Sequence, residues 1–100
     1  MLNLDQTASL MTSSDYRQRF VAEYWQTKIR YEKLKKFNTK IEASYASNNI
    51  EEPVHDCPES LLLEQQHVMG EYLHLLEVRA VIEDIELDIG IIKIREDIHE

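Results

Sequence analysis

The chain has 100 residues, 43% of them hydrophobic and 30% charged, with 19 acidic against 11 basic side chains and a formal net charge of −8. Such values describe one ordered domain rather than a disordered tail. They argue against a general duplex-DNA binder, whose domain is usually net basic, and Gly 2 with Pro 2 excludes a turn-rich sandwich or a collagen-like repeat.

Residues 1–14 are polar with scattered Leu2, Leu4, Leu10 and Met11. They read as a short arm, loose or helical, that docks on something else. Met1 to Asp5 has neither a basic start nor an apolar core, so no signal peptide is expected there. Asp15 then offers a helix cap, with Gln18 placed for a capping box.

From Tyr16 to about Tyr45 there is no Gly and no Pro. Phe20, Tyr24, Thr27, Tyr31, Leu34, Asn38, Ile41 and Tyr45 recur at alternating spacings of three and four, which is one helical stripe. Ser47-Asn48-Asn49 ends that helix, and Pro53 marks a loop. Pro58 suits the first position of a second helix, followed by Glu59 in its first turn. Leu62, Gln66, Met69, Leu73, Leu76 and Ala80 form the second stripe, and Leu61, Val68, Tyr72, Leu75 and Ile82 sit beside it. Gly70 weakens this helix but permits close approach of another backbone.

Ile85, Leu87, Ile89 and Ile91 alternate with Glu86, Asp88 and Gly90, a strand-like period of two. Ile82, Ile85, Ile89 and Ile92 equally fit a helix, so the periodicity leaves both readings open. The fold class is therefore all-α: a long antiparallel helical hairpin over 15–84, a short N-terminal arm over 1–14, and an Ile-rich C-terminal strand or short helix over 85–100. Two helices make a thin core, and apolar residues lie on more than one face of each. A homo-oligomer is expected, with the C-terminal segment taking part.

Charge is unevenly placed. Residues 16–40 carry eight basic against two acidic side chains, or +6, whereas the rest carries three against seventeen, or −14. Seven of the eight aromatic rings lie on the same first helix, interleaved with those cations. Nucleotides need this pairing of types, because rings and guanidinium planes stack on bases while Lys and Arg neutralise phosphates. The simpler account makes the rings core and the cations a solvated face that partly pairs with the acidic second helix.

Other constellations carry less. His67, Glu71 and His74 share a helix face and are suitable metal-ligand types, but they lack further ligands nearby in sequence. Cys57 beside His55 precedes a helix start, where a thiol is activated, yet it lacks the remaining groups of a nucleophile site. One thiol forms no internal disulfide and fits a reducing compartment. No phosphate-cradling Gly loop exists and no apolar run is long enough to span a membrane. Neither catalysis nor a cofactor is expected.

Tyr16-x-x-Arg19-x-x-x-Glu23, then Arg30-Tyr31-x-Lys33-Leu34, resembles the first half of a small phage- and prophage-encoded helical-hairpin family that includes proteins of crAss-like phages. Cys57-Pro58, Leu61-Leu62-Leu63-Glu64-Gln65 and Met69-x-x-Tyr72-x-x-x-Leu76-x-x-Arg79 resemble its second half. That family is similar to the hairpin domain of anti-CBASS and anti-Thoeris sponge proteins. The resemblance implies a compact homo-oligomer, often a hexamer, in the cytoplasm of a bacterial host. It implies binding of a cyclic oligonucleotide or cyclic ADP-ribose signal without cleavage. Tyr16, Arg19, Arg30, Lys33, Tyr72 and Arg79 are the binding residues that it points to. Against this stands a different class, a protein-interaction module that acts as a structural adaptor or blocks a host protein through the acidic helix.

Overall fold

A computed structural model describes residues 2–87. Three helices follow one another: α1 (Leu4–Met11), α2 (Tyr16–Ala46) and α3 (Glu59–Glu83). There is no strand among the described residues. The expected strand or helix over 85–100 lies mostly outside them. Within them, Ile85 and Leu87 are irregular and buried.

The expected arm is a helix with a capping box of its own. Asn3 accepts from the Gln6 N–H at 2.8 Å, and the Gln6 side chain accepts from the Asn3 N–H at 2.9 Å. α1 docks on α2 of the same chain and buries Thr7, whose hydroxyl donates to the Leu4 carbonyl at 2.7 Å. Asp15 caps α2 as expected, accepting from the Arg17 N–H at 2.9 Å. Gln18 does not complete a capping box there. Its carbonyl oxygen instead accepts from the Ser13 hydroxyl, whose oxygen takes the Asp15 N–H at 3.0 Å.

α2 and α3 pair antiparallel, as partner numbers fall along α3 while they rise along α2. Tyr16 reaches Glu83, Tyr24 reaches Glu77, Tyr31 lies against Gly70, and Asn38 reaches Gln66 and Leu62. At about 1.5 Å per residue α2 is roughly 45 Å long. The core sits at the end where the hairpin is open: Phe20, Tyr24, Trp25, Leu73, Leu76, Ala80, Ile85 and Leu87 form one buried cluster. Toward the connecting loop the seam turns polar at Asn38. The close neighbour of Gly70 is a ring, not a backbone, since a Cβ there would meet Tyr31 Cε1 at 3.3 Å.

Pro58 stands one residue outside α3, as its N-cap, and its carbonyl accepts from Leu61 and Leu62 at 3.1 and 3.2 Å. Cys57 is thus displaced outward and exposed. The loop before it is fastened by His55. One imidazole nitrogen lies 2.7 Å from the Cys57 carbonyl and the other 2.8 Å from Glu52, with the ring edge-on to Phe37. At its other end α3 stops on Asp84, which adopts the left-handed conformation (φ 56°, ψ 47°). The Ile85 N–H then returns to the Ala80 carbonyl at 2.8 Å and the Asp84 N–H to Val81 at 3.4 Å. Burial of Ile85 accompanies this Schellman closure.

Candidate functional site

The α2 stripe that faces α3 consumes Phe20, Tyr24, Tyr31 and Asn38. Beside that stripe, Trp25, Lys28, Ile29, Glu32, Lys33 and Lys36 line a groove of about 460 Å³ on the flank of α2, with Trp25 shared between the groove and the core. A second hollow of about 400 Å³ continues it along the helix through Lys35, Lys36, Thr39 and Lys40. Trp25 is fixed at the back of the groove. Its indole N–H donates to the Leu87 carbonyl and its ring stands edge-on to Tyr24 at 5.3 Å.

Lys28 is partly neutralised, lying 3.3 Å from Glu32 and 5.8 Å from the Tyr31 ring centre. Among the described residues, Lys33, Lys35, Lys36 and Lys40 pair with no carboxylate. Lys33 and Lys36 thus bring positive potential to the groove and Lys35, Lys36 and Lys40 to the hollow that continues it, beside the apolar side chains of Trp25 and Ile29.

The expected binding residues occupy separate places. Tyr16 and Arg79 meet at the open end, where each already has partners. Tyr16 donates to Glu83 at 3.0 Å. Arg79 donates to Glu83 at 3.0 Å and to the Tyr16 hydroxyl, and it lies 5.1 Å over the Phe20 ring. The Tyr16 and Arg79 hydrogen bonds hold the Glu83 carboxyl below the usual range, the Tyr16 bond acting most. Desolvation, then its bond to Glu83, raises the Tyr16 phenol. Arg17 completes this end by donating to the Asp84 and Glu83 carbonyls at 2.8 and 3.0 Å, where the helix dipole favours a cation. Arg19 donates to the Ser13 carbonyl at 2.7 Å, and Arg30 lies exposed with a 3.4 Å bond to the Gln26 carbonyl. Tyr72 is on the outer side of α3, 41% exposed. Of the six, Lys33 alone lines the lysine groove.

Trp25 and Ile29 widen the core stripe in the sequence, and Lys28 and Lys36 belong to its basic segment; that these four line one groove with Lys33 is what the structure adds. A larger hollow of about 770 Å³ lies on the other flank of the hairpin, lined by Tyr31, Leu63, His67, Gly70 and His74 among others. There His67 lies 3.0 Å from Glu71, both side chains largely exposed. Among the described residues no group of three His, Cys, Asp or Glu side chains is placed to hold a metal. None of the described helices is long and apolar enough to cross a membrane.

No curated protein and no solved structure matches the chain. A family model described as Sequestin, a name that denotes sequestering, matches residues 14–82, which takes in all of α2, the connecting loop and α3 but one residue. With more than half of its length inside that match, the chain belongs to the Sequestin family.

Proposed function

We propose that the protein binds a small anionic signalling nucleotide, a cyclic oligonucleotide or a cyclic ADP-ribose, and withholds it without cleaving it. The setting would be phage anti-defence in the cytoplasm of a bacterial host. The observation that carries this reading is the groove of Trp25, Lys28, Ile29, Glu32, Lys33 and Lys36, in which Lys33 and Lys36 have no carboxylate partner among the described residues. Phosphates meet the lysines and a base face meets the apolar wall. Membership in a family named for sequestering supports the same reading. The mechanism is mass action: protein in about tenfold excess over its dissociation constant leaves roughly a tenth of the signal free.

Native mass spectrometry against a panel of cyclic dinucleotides, cyclic trinucleotides and cyclic ADP-ribose isomers tests it. A retained ligand of unchanged mass is expected. Lys33→Ala with Lys36→Ala should release it, and affinity should fall as salt rises. A protein that ignores the whole panel, or returns ligand of altered mass, overturns the reading. A role as a protein-interaction module rests on a separate observation, the exposed apolar side chains of α3.

A further inference from the structure

α3 carries two stripes of the same design. The inner one, Leu62, Gln66, Met69, Leu73, Leu76 and Ala80, faces α2 and is buried or half-buried throughout. The outer one, Leu61, Gln65, Val68, Tyr72, Leu75, Arg79 and Ile82, is the inner pattern displaced by one residue, or about 100° around the helix. It alternates spacings of four and three over its whole length, the repeat by which helices pack on one another. Every residue of it is exposed: Leu61 52%, Val68 55%, Leu75 60% and Ile82 76%. A monomer gains nothing from keeping four aliphatic side chains in line in water.

The order of residues in the outer stripe says what covers it. Tyr72 is its midpoint. Reflected about Tyr72, Gln65 falls on Arg79, Val68 falls beside Leu75, and Leu61 falls beside Ile82. The stripe is therefore self-complementary under a two-fold axis, the symmetry of most homodimers. Antiparallel pairing sets each aliphatic residue against an aliphatic residue of the other copy and the two polar positions against each other. Arg79 Nε and Nη2 are used by Glu83 and Tyr16, and Nη1 has no partner among the described residues. That nitrogen is available for a Gln65 side chain, with Glu64 one residue away. Parallel pairing would instead set Arg79 against Arg79, Glu64 against Glu64 and Glu71 against Glu71, all repulsive.

We infer that the outer face of α3 is a homodimer interface in which two copies of the helix pack antiparallel about a two-fold axis at Tyr72. The lysine groove lies on α2, outside this interface, so both faces are available to one assembly.

Light scattering at micromolar concentration tests the state, with no nucleotide present, so its outcome is independent of ligand binding. A mass twice the 11.8 kDa chain is expected. Val68→Glu, in the middle of the stripe, should raise the dissociation constant roughly 100-fold. Val54→Glu, 95% exposed in the loop, should leave the dimer intact. Disulfide trapping in a Cys57→Ser background tests the register. Tyr72→Cys should cross-link on oxidation, as should Leu61→Cys combined with Ile82→Cys. Leu61→Cys alone should not, since the two copies of residue 61 lie about 30 Å apart along the antiparallel pair. A monomer, a dimer indifferent to Val68→Glu, or cross-linking by Leu61→Cys alone overturns the inference. If Val68→Glu loses its helical signal, the cysteine pattern decides. Capture of a different protein by a monomeric chain would assign the face to a foreign partner and also overturn it.

Discussion

Asn38 and Leu73 are both 3% exposed, yet truncation to alanine should affect them very differently. The Asn38 amide donates to the Leu62 carbonyl at 3.2 Å and to Gln66 Oε1 at 2.9 Å, while its own Oδ1 is buried without a partner. Two such hydrogen bonds contribute about 0.5–1.5 kcal/mol each, and a stranded buried carbonyl costs about 1–3 kcal/mol, so the residue is close to break-even. Asn38→Ala removes both sides of that balance. It strands nothing new, because Gln66 is half-buried and its amide can turn to water. The higher helix propensity of alanine adds a few tenths of a kcal/mol. The net change should lie within about 1 kcal/mol. Leu73→Ala carries no such compensation and should cost about 2–5 kcal/mol, as an apolar side chain is lost and a cavity left. Urea unfolding followed by far-UV circular dichroism, with equal slopes for all three proteins, measures both differences. A cost for Asn38→Ala above about 2 kcal/mol at unchanged slope would refute the reasoning, since Oδ1 would then have to be satisfied in solution.

Three further outcomes follow from local geometry. Asp84→Gly should stabilise the fold by about 0.5–1 kcal/mol in thermal melts, because glycine adopts the left-handed conformation without strain and removes a negative charge from a helix C-terminus. Glu83 is held below its ordinary value, chiefly by the Tyr16 hydroxyl and secondly by Arg79. Its contribution is therefore full above the unfolded pKa and is lost as pH falls through the folded one, and Glu83→Gln should flatten that acid limb of stability against pH. His55 is raised from 6.5, first by the Cys57 carbonyl and then by Glu52. Its contribution is full below the unfolded value and is lost as pH rises through the folded one; an NMR titration should show a raised midpoint that Glu52→Gln lowers.

Both long helices were legible in the sequence because their apolar stripes hold a helical period, without Gly or Pro in α2 and with Gly70 alone interrupting α3. Their observed ends differ from the expected ones by a single residue. α1 was less legible: Leu4, Thr7 and Leu10 are too few to fix a period, and the docking partner of a short helix is a tertiary fact. The binding residues were harder still. Arg79 and Tyr16 are as basic and aromatic in sequence as any binding pair, but the hairpin register brings Glu83 between them and uses their donors internally. Trp25 widens the core stripe in the sequence and is buried with the core, but what fixes its ring was not legible. Its indole partner, the Leu87 carbonyl, lies sixty-two residues away and only folding could reveal it.

The charge asymmetry bears on one part of the simpler account of α2, the pairing of its cations with α3. If its cations served the fold, they would pair with the carboxylates of α3, which offers Glu64 and Glu71 exposed along its length. Among the described residues no lysine or arginine side chain of α2 makes an ion pair with a carboxylate of α3; Lys28 pairs within α2, and Arg17 bonds backbone carbonyls. Across the antiparallel seam the charged groups of α3 meet aromatic side chains of α2 instead, Glu77 at Tyr24, Glu83 at Tyr16 and Arg79 at Tyr16 and Phe20. Lys36 has like-charged neighbours at Lys33 and Lys40, three and four residues away, a cost of up to a few tenths of a kcal/mol each, which Glu32 partly offsets. A polyanion bound there, as proposed above, would remove that repulsion.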